Sequence, residues 1–448
     1  MKYLFCALAV CLASALPAPA AEIAFVNVNV VTMADDNVLR EQTVVVREGR
    51  ITAIGPVDDT ALTEGTEVID GTDRFLMPGL AEMHGHIPAA AAGDLQRVMT
   101  LFVANGVTSV RGMQGGVSHL AMRGRLERGE LLGPRLVTAG PSINGGSVSN
   151  PAQAVAMVRR QAAAGYDFLK IHPGLTRAEF RATAATAAET GMRFAGHVPD
   201  AVGVPLALEL GISSIDHLDG YMQQLIPADV DPTGGIGGFF GVSLARIAER
   251  GRIPAIVAQT LAAGTWNVPT ESLFENMISD EPPASMRNWP EMQYMPAETV
   301  QRWAERKREL QSSADFDRAV ADRAIELRRA LIRELHRQGA GLLLGSDAPQ
   351  VFNVPGFSLH RELHYLVVSG LTPYEALQTG TIAAARWFGV SGEAGTVAVG
   401  KRADLVLLDD NPLADIANSR RVHGVMLRGR WFDRRRLDEL LSRYERSN

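Results

Sequence analysis

Apolar and polar positions along this chain change rhythm twice. From residue 22 to residue 77 they run in short strand-like bursts, I-A-F-V-N-V-N-V-V-T-M from Ile23 and T-V-V-V-R-E-G-R-I-T-A-I-G from Thr43. Glu48-Gly49 breaks the second burst in the manner of a hairpin turn. Similar strand text returns near the other end, A-D-L-V-L-L-D from Ala403 and V-H-G-V-M-L-R-G-R-W-F from Val422. Both chain ends are therefore expected to build one small β-sandwich domain, from residues 21–77 and 393–448.

The middle, residues 78–392, alternates short apolar runs with amphipathic stretches. The runs are L-M-P-G-L-A-E-M near residue 80, G-V-T-S-V-R near 108, R-L-V-T-A-G near 137, Y-D-F-L-K-I from Tyr166, M-R-F-A-G-H from Met192, S-S-I-D-H from Ser213, G-T-W-N-V-P from Gly264 and G-L-L-L-G-S-D from Gly341. A helical pattern such as N-P-A-Q-A-V-A-M-V-R-R-Q-A-A-A-G, opening on Asn150 and Pro151, separates most of them. Strands alternating with helices predict an α/β fold with a parallel sheet. Eight such strands over roughly 300 residues favour a closed (β/α)8 TIM-like barrel over an open doubly wound sheet. Two segments exceed simple connections. D-P-T-G-G-I-G-G-F-F-G from Asp231 lacks the spacing of a phosphate-binding loop and reads as a plain loop. Residues 270–322, with R-N-W-P-E-M-Q-Y-M-P followed by a charged helix, read as either a lid or a surface excursion.

The first residues change the picture of address. Lys2, the apolar run Y-L-F-C-A-L-A-V-C-L-A-S-A-L and the Ala18-x-Ala20 pattern form a secretory signal over residues 1–20, and the run falls short of the ~20 apolar residues of a membrane span. Export to the periplasm or medium is expected, with no membrane association after cleavage. Val10, in the L-A-V that precedes Cys11, is bulky where a small residue is expected and makes a poor lipoprotein signal. Cys6 and Cys11 are the chain's two cysteines, so the mature protein has no thiol ligand and a metal site must use His, Asp, Glu or a modified residue. A formal charge of -6 without a basic block argues against nucleic acid as a partner.

Candidate chemistry gathers where a barrel keeps its active site, at the carboxyl ends of the strands. His84 and His86 follow the first strand, Lys170 lies in the fourth, His197 and His217 follow the fifth and sixth, and Asp347 follows the eighth. His-x-His places two imidazoles on one side of an extended chain, suited to one metal. Singly, each residue has a structural explanation; together on one rim they predict a metal site. Lys170 is the oddity, because the only other lysines are Lys2, Lys307 and Lys401 and a solvated cation would have been arginine in this chain.

The ordered motifs P-G-L-A-E-M-H-G-H, D-F-L-K-I, G-H, D-H-L-D-G-Y, G-S-D-A-P and G-T-V-A-V-G-K-R-A-D-L-V-L-L-D make the chain resemble the amidohydrolase superfamily, and within it the branch of imidazolonepropionase-like proteins and carboxylated-lysine dipeptidases. That resemblance implies two divalent ions, by default zinc. His84, His86 and Asp347 would hold one and His197 and His217 the other, with carboxylated Lys170 bridging both. It further implies a metal-bridging hydroxide that attacks a carbonyl, with Asp347 as the catalytic proton carrier. Burial agrees with such a role, since it favours the neutral amine that reacts with carbon dioxide.

The expected function is hydrolysis of an amide in a small substrate, a dipeptide or N-acyl amino acid. The alternatives are a cyclic amide, lactone or ester hydrolase using the same site, or a silent binding protein on this scaffold. Tyr221 matches a substrate-contacting tyrosine of related dipeptidases, Ser147 stands where relatives often carry histidine, and His360 lies near the start of a helix that can reach the pocket. His172, two residues after Lys170, is a candidate to support the ligands. L-H-R-E-L-H from Leu359 has the wrong glutamate offset for a zinc-protease helix. A homo-oligomer is compatible with the sequence, which does not fix the assembly.

Overall fold

The computed structural model describes residues 22–230 and 238–446; the expected signal segment lies outside them, as does most of the glycine-rich stretch from Asp231. Both chain ends enter one mixed sheet. Its order is Arg430–Asp433, Val422–Leu427, Leu405–Leu408, Phe75–Pro78, Ile23–Val31, Val38–Arg47 and Arg50–Pro56, with Glu67–Asp70 also paired to Ile23–Val31. The ends meet where Leu405–Leu408 runs antiparallel to Phe75–Pro78. The Glu48-Gly49 turn takes φ 49° and 72°, the paired left-handed conformation that a two-residue hairpin requires. One face of the sheet covers an apolar cluster that includes Phe25, Val30, Val44, Leu76, Leu405 and Met426.

The middle of the chain supplies parallel strands. Leu80–Gly85, Val107–Gly112 and Arg135–Thr138 form one sheet, and Leu169–Ile171, Phe194–Gly196, Ser214–Asp216 and Trp266–Val268 form another. Isolated parallel bridges pair Ala139 with Phe168, Asn267 with Leu342 and Gly85 with Ala348. Seven of the eight expected strands are thus regular. The eighth, around Leu342 to Ala348, is extended backbone held by those bridges and by Leu343 N–H to Asn267 O and Met83 N–H to Leu344 O, both 2.8 Å.

Helices separate the strands for local reasons. Asn150 accepts from the Gln153 amide at 3.0 Å, Pro151 opens the helix Pro151–Ala164, and Gly165 at φ 84° closes it. Thr176 and Glu179 make a reciprocal capping box for Arg177–Thr190. After Trp266–Val268 the chain makes a helical excursion, Glu271–Ile278, Pro283–Met286 and Ala297–Gln311, before the long helix Arg318–Gln338 leads into the eighth segment.

Among the parallel strands lies a fully buried arginine. Arg111 Nε donates to Met83 O at 2.5 Å, Nη1 to Ser214 Oγ at 2.8 Å and Nη2 to Asp216 Oδ1 at 2.9 Å, so one guanidinium ties together three strands. Its Cζ lies 4.6 Å from the Trp387 ring centre. Arg111→Met should destabilise the metal-free protein by about 3–5 kcal/mol, because Asp216 would keep a buried charge without its main partner. Chemical unfolding checks this, and a loss under about 1 kcal/mol, the size of an ordinary hydrogen bond, would refute a structural role for the pair.

Candidate metal centre

The site begins with the contact between the first strand and the eighth segment. His86 N–H donates to Ala348 O at 2.8 Å, and Glu82 accepts from the His84 amide at 2.9 Å, the Ser346 amide at 2.8 Å and Ser346 Oγ at 2.5 Å. Burial pushes the Glu82 carboxyl up to about 8, against those hydrogen bonds, and its two oxygens clasp the strand to the segment. The clasp sets His84 and His86 opposite Asp347. Asp347 Oδ1 lies 2.9 Å from His86 Nε2 and 3.4 Å from His84 Nε2, while Gln350 Nε2 donates to Oδ2 at 2.9 Å. Burial would raise the Asp347 carboxyl, but His84, His86 and His217 overcome it and hold the group ionised.

Two further imidazoles face this trio. His217 lies 4.6 Å from His84 and 4.7 Å from His197, centre to centre. Each is fixed at Nδ1, His197 by Asp219 Oδ2 at 3.0 Å and His217 by Thr270 Oγ1 at 2.8 Å, which leaves Nε2 of both rings. This is how proteins orient imidazoles for metals. Burial pushes His84 down to about 4 and His217 well below its usual value, the direction that favours an imidazole able to bind a metal.

Lys170 lies beneath the cavity rather than on its wall. It is fully buried, and Nζ sits 3.3 Å from Asp216 Oδ2, the carboxylate that also approaches His84 Nδ1 at 3.1 Å. Burial lowers the lysine against the pull of Asp216 and Asp347. Space for its side chain depends on Gly196, at φ 128°, where a Cβ would come 2.5 Å from Ile171 O and 2.9 Å from Lys170 Cδ.

The donor set fits a divalent metal. Ligand atoms of His84, His86 and Asp347 all lie within 4.8 Å of one another. His84 Nδ1 and Asp347 Oδ1 are buried without an aligned hydrogen bond. Buried polar atoms left in this way are costly unless something else satisfies them, and neutral imidazoles with one carboxylate are ordinary ligands for such an ion.

Above the donors is a cavity of about 320 Å³. Phe239, Phe240, Leu273, Met277 and Val351 give it apolar walls, and Arg306 of the helical excursion reaches it. Phe240 has a left-handed backbone, φ 46°, lies 5.0 Å from His217 with the rings tilted by 31°, and stacks on His197 at 6.3 Å. Both long segments singled out in the sequence therefore contribute walls. His172 also lines the cavity, 5.1 Å from His197.

The three expected substrate contacts lie away from the described cavity wall. Tyr221 is fully buried, and its hydroxyl is committed to Thr260 Oγ1 at 2.9 Å and Asn267 Oδ1 at 2.8 Å, so it is a packed structural tyrosine. His360 is buried between Ser419 Oγ at 2.9 Å and Asn105 O at 3.1 Å, turned away from the cavity because its helix docks there against the chain's C-terminal part. Ser147 is exposed in a turn with Asn144 and is absent from the described cavity wall. Glu362, the misplaced glutamate of L-H-R-E-L-H, accepts the Glu271 and Ser272 amides at 2.9 and 2.7 Å and so caps the first helix of the excursion. Reading the sequence missed Asp216, Arg111, Glu82, Thr270, Phe240 and Arg306. Asp219 alone had a visible signal, two residues after His217 in D-H-L-D-G-Y.

With this geometry established, comparison with known proteins is informative. The profile of the Amidohydrolase family matches residues 75–432, and the chain belongs to that family. Imidazolonepropionase of Idiomarina loihiensis is 38% identical over 64 residues, a stretch covering 14% of this chain and only 16% of that protein. Among solved structures, a bottromycin amidohydrolase superposes with TM-score 0.71 at 22% identity, over 94% of this chain and 90% of that one. A Xaa-Pro dipeptidase with methionine bound in its active site gives 0.66 at 19%, over 92% and 100%. These likenesses carry the fold.

Gly196→Ala is expected to lower the metal bound per chain, because the added methyl displaces Lys170 or the backbone leading to His197, at a cost of about 1–3 kcal/mol. Elemental mass spectrometry of the purified variant checks this; wild-type metal content would show that the space beside Lys170 is dispensable.

Proposed function

We propose that this protein is an exported, binuclear metal-dependent amidohydrolase that opens a peptide or N-acyl amino acid bond in a small substrate. One observation carries the reading: His84, His86 and Asp347 converge within 4.8 Å, and His197 and His217 face them across one cavity. We read the parallel strands and bridges as a closed (β/α)8 barrel, residues 78–392, and the sheet of both chain ends as a sandwich around its apolar cluster. Dipeptidase activity in a structural neighbour is compatible with such a substrate.

His84, His86 and Asp347 would hold one ion and His197 and His217 a second, with Lys170, carboxylated on Nζ, bridging them. Bound there, divalent ions such as zinc acidify a water and polarise the scissile carbonyl. The chain's own residues do the rest. Asp347, held ionised, takes the proton at its carboxylate and delivers it to the leaving nitrogen. Asp219 and Thr270 keep the two imidazoles oriented, and Phe239 and Phe240 exclude water from one side. Carboxylation joins the neutral Lys170 amine to carbon dioxide and releases one proton.

A second reading, hydrolysis of a cyclic amide, lactone or ester, is favoured by one observation: Tyr221 and Ser147, the contacts expected for a dipeptide-like substrate, do not reach the cavity.

Mature, metal-loaded protein is expected to cleave members of a library of dipeptides and N-acyl amino acids, read by mass spectrometry, and a metal-stripped control should be silent. Silence of both would shift the reading to the cyclic amides, lactones and esters. Asp347→Asn should reduce turnover about 10²- to 10⁴-fold; normal turnover would remove the proton-carrier role. Lys170→Ala should lose metal and activity, with rescue by short carboxylic acids; an unaffected variant would end the bridging assignment. Export predicts that the protein recovered outside the cytoplasm begins near Ala21, and intact residues 1–20 would contradict it.

A further inference from the structure

We propose that Arg306 is the anchor for a substrate carboxylate, which makes the substrate an acid whose other end is apolar. This rests on reading the site as an amide hydrolase and deepens it by naming what the cavity selects.

Arg306 is the one residue with a permanent positive charge among the described residues lining the cavity. Its neighbours on the excursion helix Ala297–Gln311 are engaged: Arg302 bonds Thr299 Oγ1 at 3.0 Å and Arg308 bonds Ala304 O at 3.2 Å. Arg306 forms no ion pair or hydrogen bond with any described residue and is solvent-exposed, so its guanidinium is free to take a ligand.

The helix under it is firmly seated. Val300, Trp303, Ala304 and Lys307 make a buried stripe at helical spacing, and the Lys307 amine is tied to Ser279 Oγ at 3.2 Å and Met286 Sδ at 3.4 Å. A guanidinium offered from a fixed helix loses less freedom on binding than one on a loop, and its planar fork matches a carboxylate. The remaining walls fix the rest of the ligand. Phe239, Phe240, Leu273 and Met277 offer only apolar surface, which suits an aromatic or aliphatic acyl group. Neither Tyr221 nor Ser147 stands in the cavity to take the charge instead.

The test is calorimetric binding to the metal-loaded protein, using N-benzoylglycine and N-acetyl-leucine against their uncharged primary carboxamides. Wild type should bind the acids roughly 10- to 100-fold more tightly than the amides, the range for hydrogen bonds to a charged group. Arg306→Met should collapse that ratio towards one, and Arg306→Lys should retain part of it. A merely structural role would weaken acids and amides alike. Metal content and thermal unfolding of each variant confirm that the exposed substitution leaves the fold intact. An unchanged ratio in Arg306→Met, or a wild type without preference for acids, overturns the proposal. If the acids bind through Arg306 yet are never cleaved, the carboxylate anchor stands and amide hydrolysis is the part that fails.

Discussion

The site depends on a buried ion pair one layer below the histidines. Arg111 and Asp216 meet at 2.9 Å with no exposure of either side chain, and the other oxygen of Asp216 reaches both Lys170 and His84. Burial alone would drive Asp216 to protonate, but Arg111, Lys170 and His84 together hold it well below the ordinary carboxylate range. Taking such charges out of water is expensive unless each lone pair and proton is met. Here the guanidinium is also bonded to Met83 O and Ser214 Oγ, so the network is satisfied on the protein side and couples the strands that carry His84, Lys170 and His217.

Above that layer the backbone is held in uncommon conformations. His217, Leu218, Phe240, Thr270, Asp347 and Phe352 all have φ between 46° and 64°. None is glycine, and left-handed conformations of this kind cost of order 1–3 kcal/mol each. They collect where strands end and side chains must turn into the cavity. Arg328 shows how the surroundings enforce this: it donates to His217 O at 2.6 Å and Pro269 O at 2.9 Å and pairs with buried Glu271. Six of the twelve non-glycine residues with positive φ among the described residues lie here, and the fixed carbonyls around them keep the rings from relaxing.

Much of this was legible in the text of the chain, and what was not has a common cause. The strand and helix alternation, the sheet shared by both ends, and the gathering of His84, His86, His197, His217 and Asp347 follow from periodicity and from where a parallel fold keeps its strand ends. Tyr221 and His360 turn away from the cavity because a side chain's direction is set by packing partners distant in sequence, Thr260 and Asn267 for one and Ser419 and Asn105 for the other. Arg306 was invisible for the same reason: among forty-four basic residues, nothing local distinguishes the one that an excursion helix carries to the cavity. Glu82 was hidden because a carboxyl two residues before a ligand is unremarkable until Ser346 closes on it.

The lysine that stood out in the sequence also explains why an arginine lies beneath it. As an ammonium, Lys170 helps to neutralise Asp216. Under the proposed carboxylation the same side chain becomes an anion, and Asp216 would face a like charge at close range without a second cation nearby. Arg111 is that cation. Its guanidinium cannot deprotonate under any condition the protein meets, it is bonded to the Asp216 oxygen that Lys170 does not use, and so its hold on Asp216 is independent of the state of the lysine. A lysine at position 111 would itself be a buried amine, open to the same loss of charge. Under that proposal the division of labour is chemical: one buried cation whose charge would be given up for a ligand, and one whose charge is permanent and keeps the floor of the site intact.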